Sequence, residues 1–129
     1  MTTESNKAVV SRFFEEVFNK RNLALVDELV APYFCNHNAS IQVRGVEGVK
    51  RGMLAQFEAF PDIHTSIEDL IAEGDKVVVR ARDRFTQQRD GKAVELTWIE
   101  IIRLEDGKLA EAWVEADMSA LHQIAGKYE

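Results

Sequence analysis

The sequence is poor in the residues that build disulfides and metal sites. Its one cysteine, Cys35, cannot form a disulfide within the chain, so we expect a reducing compartment and a cytoplasmic protein. The three histidines are scattered without the spacing of metal ligands on a helix. The segment Gly45-Val-Glu-Gly48 lacks the Lys-Ser/Thr ending of a phosphate-binding loop. We therefore expect neither a metal nor a cofactor.

Two further absences limit the partners. No apolar run is long enough to span a membrane, and the polar N-terminus has no signal-peptide core. The net charge of −6 offers no basic surface to a nucleic acid or to an anionic membrane. With 129 residues, 46% of them hydrophobic, the chain is predicted to form one domain over residues 1–129.

Three segments in the first half show apolar residues at helical spacing. The first is predicted to begin after a cap at Ser5 or Asn6, the second to end at Pro32, and the third to end at Pro61. A short strand is predicted over residues 33–38, and a last short helix over residues 118–126. The apolar helix positions are Val9, Val10, Phe13, Phe14, Val17 and Phe18, then Leu23, Val26, Leu29 and Val30, then Val46, Val49, Met53, Phe57 and Phe60.

The second half is predicted to be an antiparallel meander. Its last turn is Asp106-Gly107, and Asp-Gly between alternating apolar residues is typical of a two-residue hairpin turn. That turn predicts four pairs: Ile102 with Glu111, Glu100 with Trp113, Trp98 with Glu115, and Leu96 with Asp117. Because strand side chains alternate between faces, these eight would share one face. An apolar face that also carries acids is typical of a pocket wall.

Two earlier turns, Gly74-Asp75 and Asp90-Gly91, extend this face. They predict Phe85 opposite Leu96, Asp83 opposite Trp98, Ala81 opposite Glu100 and Val79 opposite Ile102, with Leu70, Glu68, Ser66 and His64 on the same face. Among the acids of this face, Asp83 and Glu111 are expected near the strand ends, in solvent.

The other face of the predicted sheet is half apolar. It would carry Ile63, Ile67, Ile71, Val78, Ile99, Ile101 and Val114, interleaved with Asp69 and with Arg80, Arg82 and Arg84. Three helices cannot cover both sides of such a sheet, so we expect a homodimer formed through this outer face. The alternative is a solvated sheet with scattered isoleucines.

The order of these elements resembles the α+β cone of the nuclear transport factor 2-like superfamily, and within it the SnoaL-like polyketide cyclases. The resemblance covers nearly the whole chain. It is carried by Val17-Phe-Asn19, Asp27-Glu-Leu-Val-Ala-Pro32, His37, Gly45-Val-Glu-Gly48, Phe60-Pro-Asp62, Ile67-Glu-Asp-Leu-Ile-Ala-Glu-Gly-Asp-Lys-Val-Val-Val-Arg80, Arg103-Leu-Glu-Asp-Gly-Lys108, Trp113, Asp117 and Leu121-His-Gln123. It implies an α+β fold in which three N-terminal helices pack on a curved, mainly antiparallel sheet around a pocket.

The resemblance also implies an activity. Such cyclases close a ring by an intramolecular aldol reaction without metal or cofactor, and an aspartate aligned with Asp117 is their general acid/base. Some members use a histidine on the penultimate strand, where this chain has Trp98 and Glu100. His37 stands at a position usually filled by histidine in the family.

The residues themselves leave several roles open. Asp117 on an apolar wall would have the raised pKa of a proton carrier, but it could instead cap the last helix. Glu100 could contact substrate or belong to a buried pair, and His37 could hold a substrate oxygen, orient Asp117 or be structural. A small hydrophobic ligand would contact Trp98, Trp113, Glu115, Phe14, Phe18, Phe57 and Phe60, unless the phenylalanines only fill the core.

We therefore predict a cofactor-free proton-transfer enzyme acting on a small hydrophobic carbonyl compound, with Asp117, His37 and Glu100 as its catalytic residues. Cyclisation, isomerisation and dehydration all use the same proton transfer. The alternative is a dimeric domain that binds an apolar small molecule without turnover.

Overall fold

The computed structural model describes residues 2–37 and 43–117. Helix α1 (Thr3–Arg12) is capped by Thr2, whose hydroxyl accepts a hydrogen bond from the Ser5 N–H at 3.0 Å. The predicted cap at Ser5 or Asn6 is therefore wrong, because Ser5 is the third helical residue and bonds back to Thr2. The helix continues as a π-helical segment, Phe13–Asn19, which buries four apolar side chains.

The remaining helical segments differ in length. A 3₁₀ turn, Leu23–Leu25, leads into α2 (Val26–Leu29), and α3 spans Gly45–Ala59. The prediction that the second helix ends at Pro32 is wrong, because strand β1 (Val30–Asn36) has already begun before this proline. Gly45 opens α3 with a φ of 70°, and a Cβ there would lie 3.3 Å from the Pro32 carbonyl oxygen, so glycine is required.

The sheet has six strands in the order β2-β1-β6-β5-β4-β3. The further strands are β2 (Val43–Arg44), β3 (His64–Glu73), β4 (Lys76–Thr86), β5 (Ala93–Glu105) and β6 (Lys108–Ala116). Neighbouring strands are antiparallel except β1 and β6, which run parallel. The sheet is curved and open, and the helices pack on its inner face, which confirms the predicted α+β class.

The core lies between the helices and the inner face of the sheet. Its fully buried members include Val10 and Val17 from the first helical segment and Val77, Val79 and Ile102 from β4 and β5. Among residues 2–37 and 43–117, no helix is long and apolar enough to cross a membrane. The helix predicted over residues 118–126 lies outside the described residues.

The last hairpin contains a β-bulge that overturns its predicted register. Leu109 pairs with Leu104, but Glu111 pairs with Arg103, so Ala110 is the extra residue on β6. The observed pairs are therefore Ile102 with Ala112, Glu100 with Val114, and Trp98 with Ala116. The prediction that Glu111, Trp113 and Glu115 face inward is wrong, because the bulge turns these three side chains to the outer face. Val114, predicted on the outer face, is turned inward by the same bulge.

The two earlier hairpins also differ from prediction. The loop between β4 and β5 spans residues 88–91 rather than two residues. Each β4 residue therefore pairs with the β5 residue two positions before the predicted one, and every side chain keeps its predicted face. The observed pairs are Asp83 with Leu96, Ala81 with Trp98, and Val79 with Glu100. In β3 a second bulge, between Ile67 and Asp69, turns Thr65 and Ile67 inward. The predicted inward placement of Glu68, Ser66 and His64 is therefore wrong, as is the outward placement of Ile67. Ile63, also predicted on the outer face, is buried in the core.

Candidate acid site on the inner face of the sheet

Two buried carboxylates occupy the inner face of neighbouring strands. Glu100 on β5 is 8% exposed and Asp83 on β4 is 7% exposed. Both stand at positions where period-two alternation would otherwise place apolar residues, such as Val79 and Ala81. The expectation that Asp83 lies in solvent is therefore wrong.

Among the described residues, Glu100 has the most strongly shifted pKa. Burial raises its pKa to about 8, and the negative charge of Asp83 pushes in the same direction. Within residues 2–37 and 43–117, no side chain donates a hydrogen bond to Glu100 or forms an ion pair with it. Since nothing there compensates its charge, Glu100 is protonated at neutral pH and could give that proton to a ligand.

Asp83 differs from Glu100 because it has hydrogen-bond donors. The Thr65 hydroxyl donates to Asp83 Oδ1 at 2.7 Å, and the Trp98 side chain also donates to this carboxylate. Burial raises the pKa of Asp83, while these two hydrogen bonds act in the opposite direction. The pKa values of Glu100 and Asp83 are thus set by different surroundings. A reaction that needs one proton donor and one proton acceptor requires such a difference.

The position of Thr65 is itself fixed by the first helical segment. The amide of Asn19, at the end of the π-helical segment, bonds both ways with the Thr65 backbone, donating at 2.8 Å and accepting at 2.9 Å. These two hydrogen bonds to the edge strand β3 hold the Thr65 hydroxyl next to Asp83. Nothing in the local sequence around Thr65 signals this arrangement, because it depends on the bulge in β3.

Aromatic side chains stand next to the acids. The ring of Phe14 lies 5.3 Å from that of Trp98, which precedes Glu100 by two residues on the same face of β5. The other predicted ligand contacts pack farther along the core, with Phe18 against Phe57 at 5.2 Å and Phe60 against Phe85 at 4.2 Å. The structure therefore brings Phe14 and Trp98 to the acid site, and ligand contact by the six predicted aromatic residues stays a prediction.

His37 lies on the other side of the sheet. Its Nε2 is 2.7 Å from Glu111 Oε2, and its ring stacks on Trp113 with centroids 5.4 Å apart. Glu111 also accepts a hydrogen bond from Arg103, which lowers the pKa of Glu111, and His37 adds to this effect. The structure thus does not bring His37 and Trp113 together with Glu100.

The last two predicted site residues lie at the end of β6. Glu115 pairs with Ile99 and is exposed on the outer face. Asp117 follows the strand, donates its backbone N–H to the Thr97 oxygen at 2.9 Å, and is exposed. Its predicted position opposite Leu96 on the apolar inner wall is therefore wrong, because the bulge shifts the register of β6. Residues 118–126 lie outside the described part, so acid/base catalysis and helix capping by Asp117 both stay predictions. Over the residues that the structure does describe, no three potential metal ligands are arranged so that they could hold one metal ion.

Comparisons with known proteins agree on one family. A family model described as SnoaL-like polyketide cyclase matches residues 8–124. A Jannaschia sp. CCS1 protein assigned to the SnoaL-like polyketide cyclases is 25% identical, with a TM-score of 0.85 over 94% of this chain and 91% of that chain. A Bacillus cereus ATCC 10987 protein assigned as a polyketide cyclase is 29% identical, with a TM-score of 0.82 over 95% of this chain and 80% of that chain.

More distant likeness extends to the fold alone. An NTF2-like protein from Burkholderia pseudomallei K96243 is 18% identical, with a TM-score of 0.80 over 95% of this chain and 97% of that one. Among curated proteins, none matches the chain.

Proposed function

Because the chain belongs to the SnoaL-like polyketide cyclase family, we propose that it is a cofactor-free proton-transfer enzyme acting on a small hydrophobic carbonyl compound. The reaction is an intramolecular aldol-type ring closure or the related isomerisation or dehydration. The observation that carries this proposal is Glu100, a buried carboxyl group whose pKa of about 8 lies close to neutral pH.

The chemistry follows from that pKa. At pH 7 roughly one Glu100 side chain in ten is ionised, so both the acid and the base are populated. The carboxylate removes a proton from the carbon next to a carbonyl, and the resulting enolate carbon attacks a second carbonyl carbon of the same molecule. The alkoxide that forms takes a proton from the carboxylic acid. Asp83 supports this cycle because its charge favours the protonated form of Glu100.

The remaining roles are assigned from the resemblance and from placement. Phe14 and Trp98 form the apolar surface against which a flat ligand would lie, next to Glu100. Asp117 is proposed as a second general acid/base, reached by the ligand from the end of β6. His37 is not given a role at Glu100, since it contacts Glu111 and Trp113 on the outer face.

Exchange of α-protons measures proton transfer without knowledge of the physiological substrate. Aromatic ketones and 1,3-diketones are incubated in D₂O with the protein, and deuterium uptake is followed by NMR. We expect Glu100→Gln to lower the protein-catalysed rate about 10²- to 10⁴-fold. Glu73→Gln, which changes an exposed glutamate at the end of β3, is the matched control and should leave the rate unchanged.

Asp117→Asn separates the two proposed carboxyl groups. Loss of exchange in Asp117→Asn with full exchange in Glu100→Gln would move the essential base to Asp117 and overturn the role of Glu100. If the wild type binds the ketones, as followed by tryptophan fluorescence, but exchanges no proton, the domain is a binding module and the enzyme proposal fails.

The outer face of the sheet is proposed to form a homodimer. Ile99 and Ile101 are 47% and 38% exposed there, next to Trp113 at 37%. The arginines of the same face are already paired with acids, as in Arg80 with Asp69 at 2.6 Å, so the apolar strip is not interrupted by uncompensated charge.

A single charge in this strip should separate the protomers. Ile101→Glu is expected to convert a dimer to a monomer in size-exclusion chromatography with light scattering. Leu54→Glu introduces the same charge at a residue of α3 that is 53% exposed and should leave the dimer intact. A wild-type protein that is monomeric at all concentrations would contradict the dimer.

A further inference from the structure

A second set of reactive groups lies where β1 and β6 run side by side. Cys35 Sγ is 3.9 Å from His37 Nδ1, and the other ring nitrogen of His37 is 2.7 Å from Glu111 Oε2. Arg103 Nε in turn lies 3.0 Å from Glu111 Oε1. A thiol, an imidazole and a carboxylate therefore follow one another in line, on the outer face and apart from Glu100.

The hydrogen bonds assign the proton positions in this row. The pKa of Glu111 is lowered by Arg103 and His37, so Glu111 is a carboxylate and can only accept. Nε2 of a neutral His37 must then carry the proton that Glu111 accepts. This leaves Nδ1 as a bare acceptor directed at the Cys35 thiol, which is the tautomer that a general base for a thiol requires.

We propose that Cys35 is a nucleophilic thiol activated by His37 and Glu111, and that it forms a covalent bond with small conjugated electrophiles such as α,β-unsaturated carbonyl compounds. The thiol proton moves to His37 Nδ1, and the sulfur adds to the β-carbon of the electrophile. The π electron pair shifts to give an enolate, and the proton on His37 is delivered to its α-carbon. Atoms and charge balance without an oxidant or a leaving group.

The neighbouring side chains suit this class of electrophile. Trp113 stacks on His37 with an interplanar angle of 19° and is 37% exposed, so it offers a flat apolar surface beside the imidazole that faces the thiol. The His37 side chain is itself 33% exposed, whereas Cys35 is 9% exposed. This limited access favours small, flat molecules over large ones.

Because the chain has one cysteine, the difference in alkylation between the protein and its Cys35→Ser variant reports on this thiol alone. But-3-en-2-one and iodoacetamide serve as probes, and intact mass follows the rate between pH 6 and 9. The titratable and charged groups on the strands around Cys35 are His37, Glu111 on β6, Arg103 and Glu105 on β5, and Arg44 on β2. Each rate is divided by the rate of the same variant at pH 9, which removes differences in access.

In the wild type we expect the normalised rate to fall less than about 3-fold between pH 9 and pH 6.5. In His37→Gln it should fall about 100-fold, as for an ordinary thiol with a pKa near 8.5. Glu111→Gln should lie between the two, and Cys35→Ser should show only the background reaction of amines, which is subtracted from every rate. Circular dichroism confirms that each variant is folded.

Identical profiles for the wild type and His37→Gln would overturn the proposal, as would a folded wild type whose thiol does not react at any pH. Since Trp113 borders the apolar strip of the outer face, the measurement is repeated in Ile101→Glu. A covering partner subunit changes only the absolute rate between these two proteins, and leaves the shape of the pH profile unaltered.

Discussion

Glu100→Gln is expected to stabilise the protein at pH 9 by roughly 3 kcal/mol, and to lose this advantage at pH 4. In the unfolded chain Glu100 ionises near its ordinary pKa of 4.5, whereas burial raises the pKa to about 8 in the folded protein. Between these values the folded state holds a proton that the unfolded state has released, so stability falls as the pH rises. The full shift corresponds to about 5 kcal/mol, from which burying an amide subtracts about 1–2 kcal/mol.

Urea unfolding at pH 4, 7 and 9 measures this difference. Glu73→Gln is again the control, since its exposed carboxylate should leave the free energy of unfolding within about 0.5 kcal/mol of wild type at each pH. A destabilisation by Glu100→Gln that is the same at all three pH values would show that Glu100 is held by a compensating partner. In that case it could not be a proton carrier of the kind proposed.

The elements of the fold were predictable because each has a strong local signal. The apolar spacing over α1 and α3, the proline after α3 and the three turn sites all correspond to observed features. The exact register between paired strands was harder to predict from the sequence. Asp90-Gly91 has the residues of a two-residue turn, but the loop spans residues 88–91, and the slide by two leaves each side chain on its predicted face.

The bulge in the last hairpin shows which of two sequence signals determines the register. Turn geometry at Asp106-Gly107 favours a register that turns Glu111 and Glu115 inward. Alternation along β6 favours the opposite, because Ala112 and Val114 then face the core while both glutamates face solvent. Burying acids costs several kcal/mol each, while a bulge leaves only one residue unpaired. Hydrophobic alternation therefore decides the register.

Only part of the candidate site could be predicted from the sequence. Glu100 could be predicted because it interrupts the apolar side of β5, and Asp83 carries the same signal on β4, where it follows Val77, Val79 and Ala81. The pairing of Thr65 with Asp83 could not, because it needs a bulge in β3 and the amide of Asn19 at once. The placement of His37 beside Trp113 likewise depends on the register of β6.

Two adjacent substitutions on β6 test that register directly. Ala112→Glu is expected to prevent folding at 25 °C, whereas Trp113→Glu should cost less than about 2 kcal/mol. Ala112 is 0% exposed and faces Ile102, so a glutamate there would be both too large and buried as a charge. Each of these effects costs several kcal/mol, and together they approach the total stability of about 5–15 kcal/mol of a small domain.

Circular dichroism and urea unfolding distinguish the two variants, and Ala112→Leu grades the effect. Leucine adds volume without charge at the same site, so a loss of about 1–3 kcal/mol is expected from overpacking alone. Trp113→Glu keeps the added charge but places it at a side chain that is 37% exposed, where water solvates it. If Trp113→Glu unfolds the protein and Ala112→Glu does not, then Trp113 faces the core, and the acid site on the inner face must be redrawn with Glu111 and Glu115 in it.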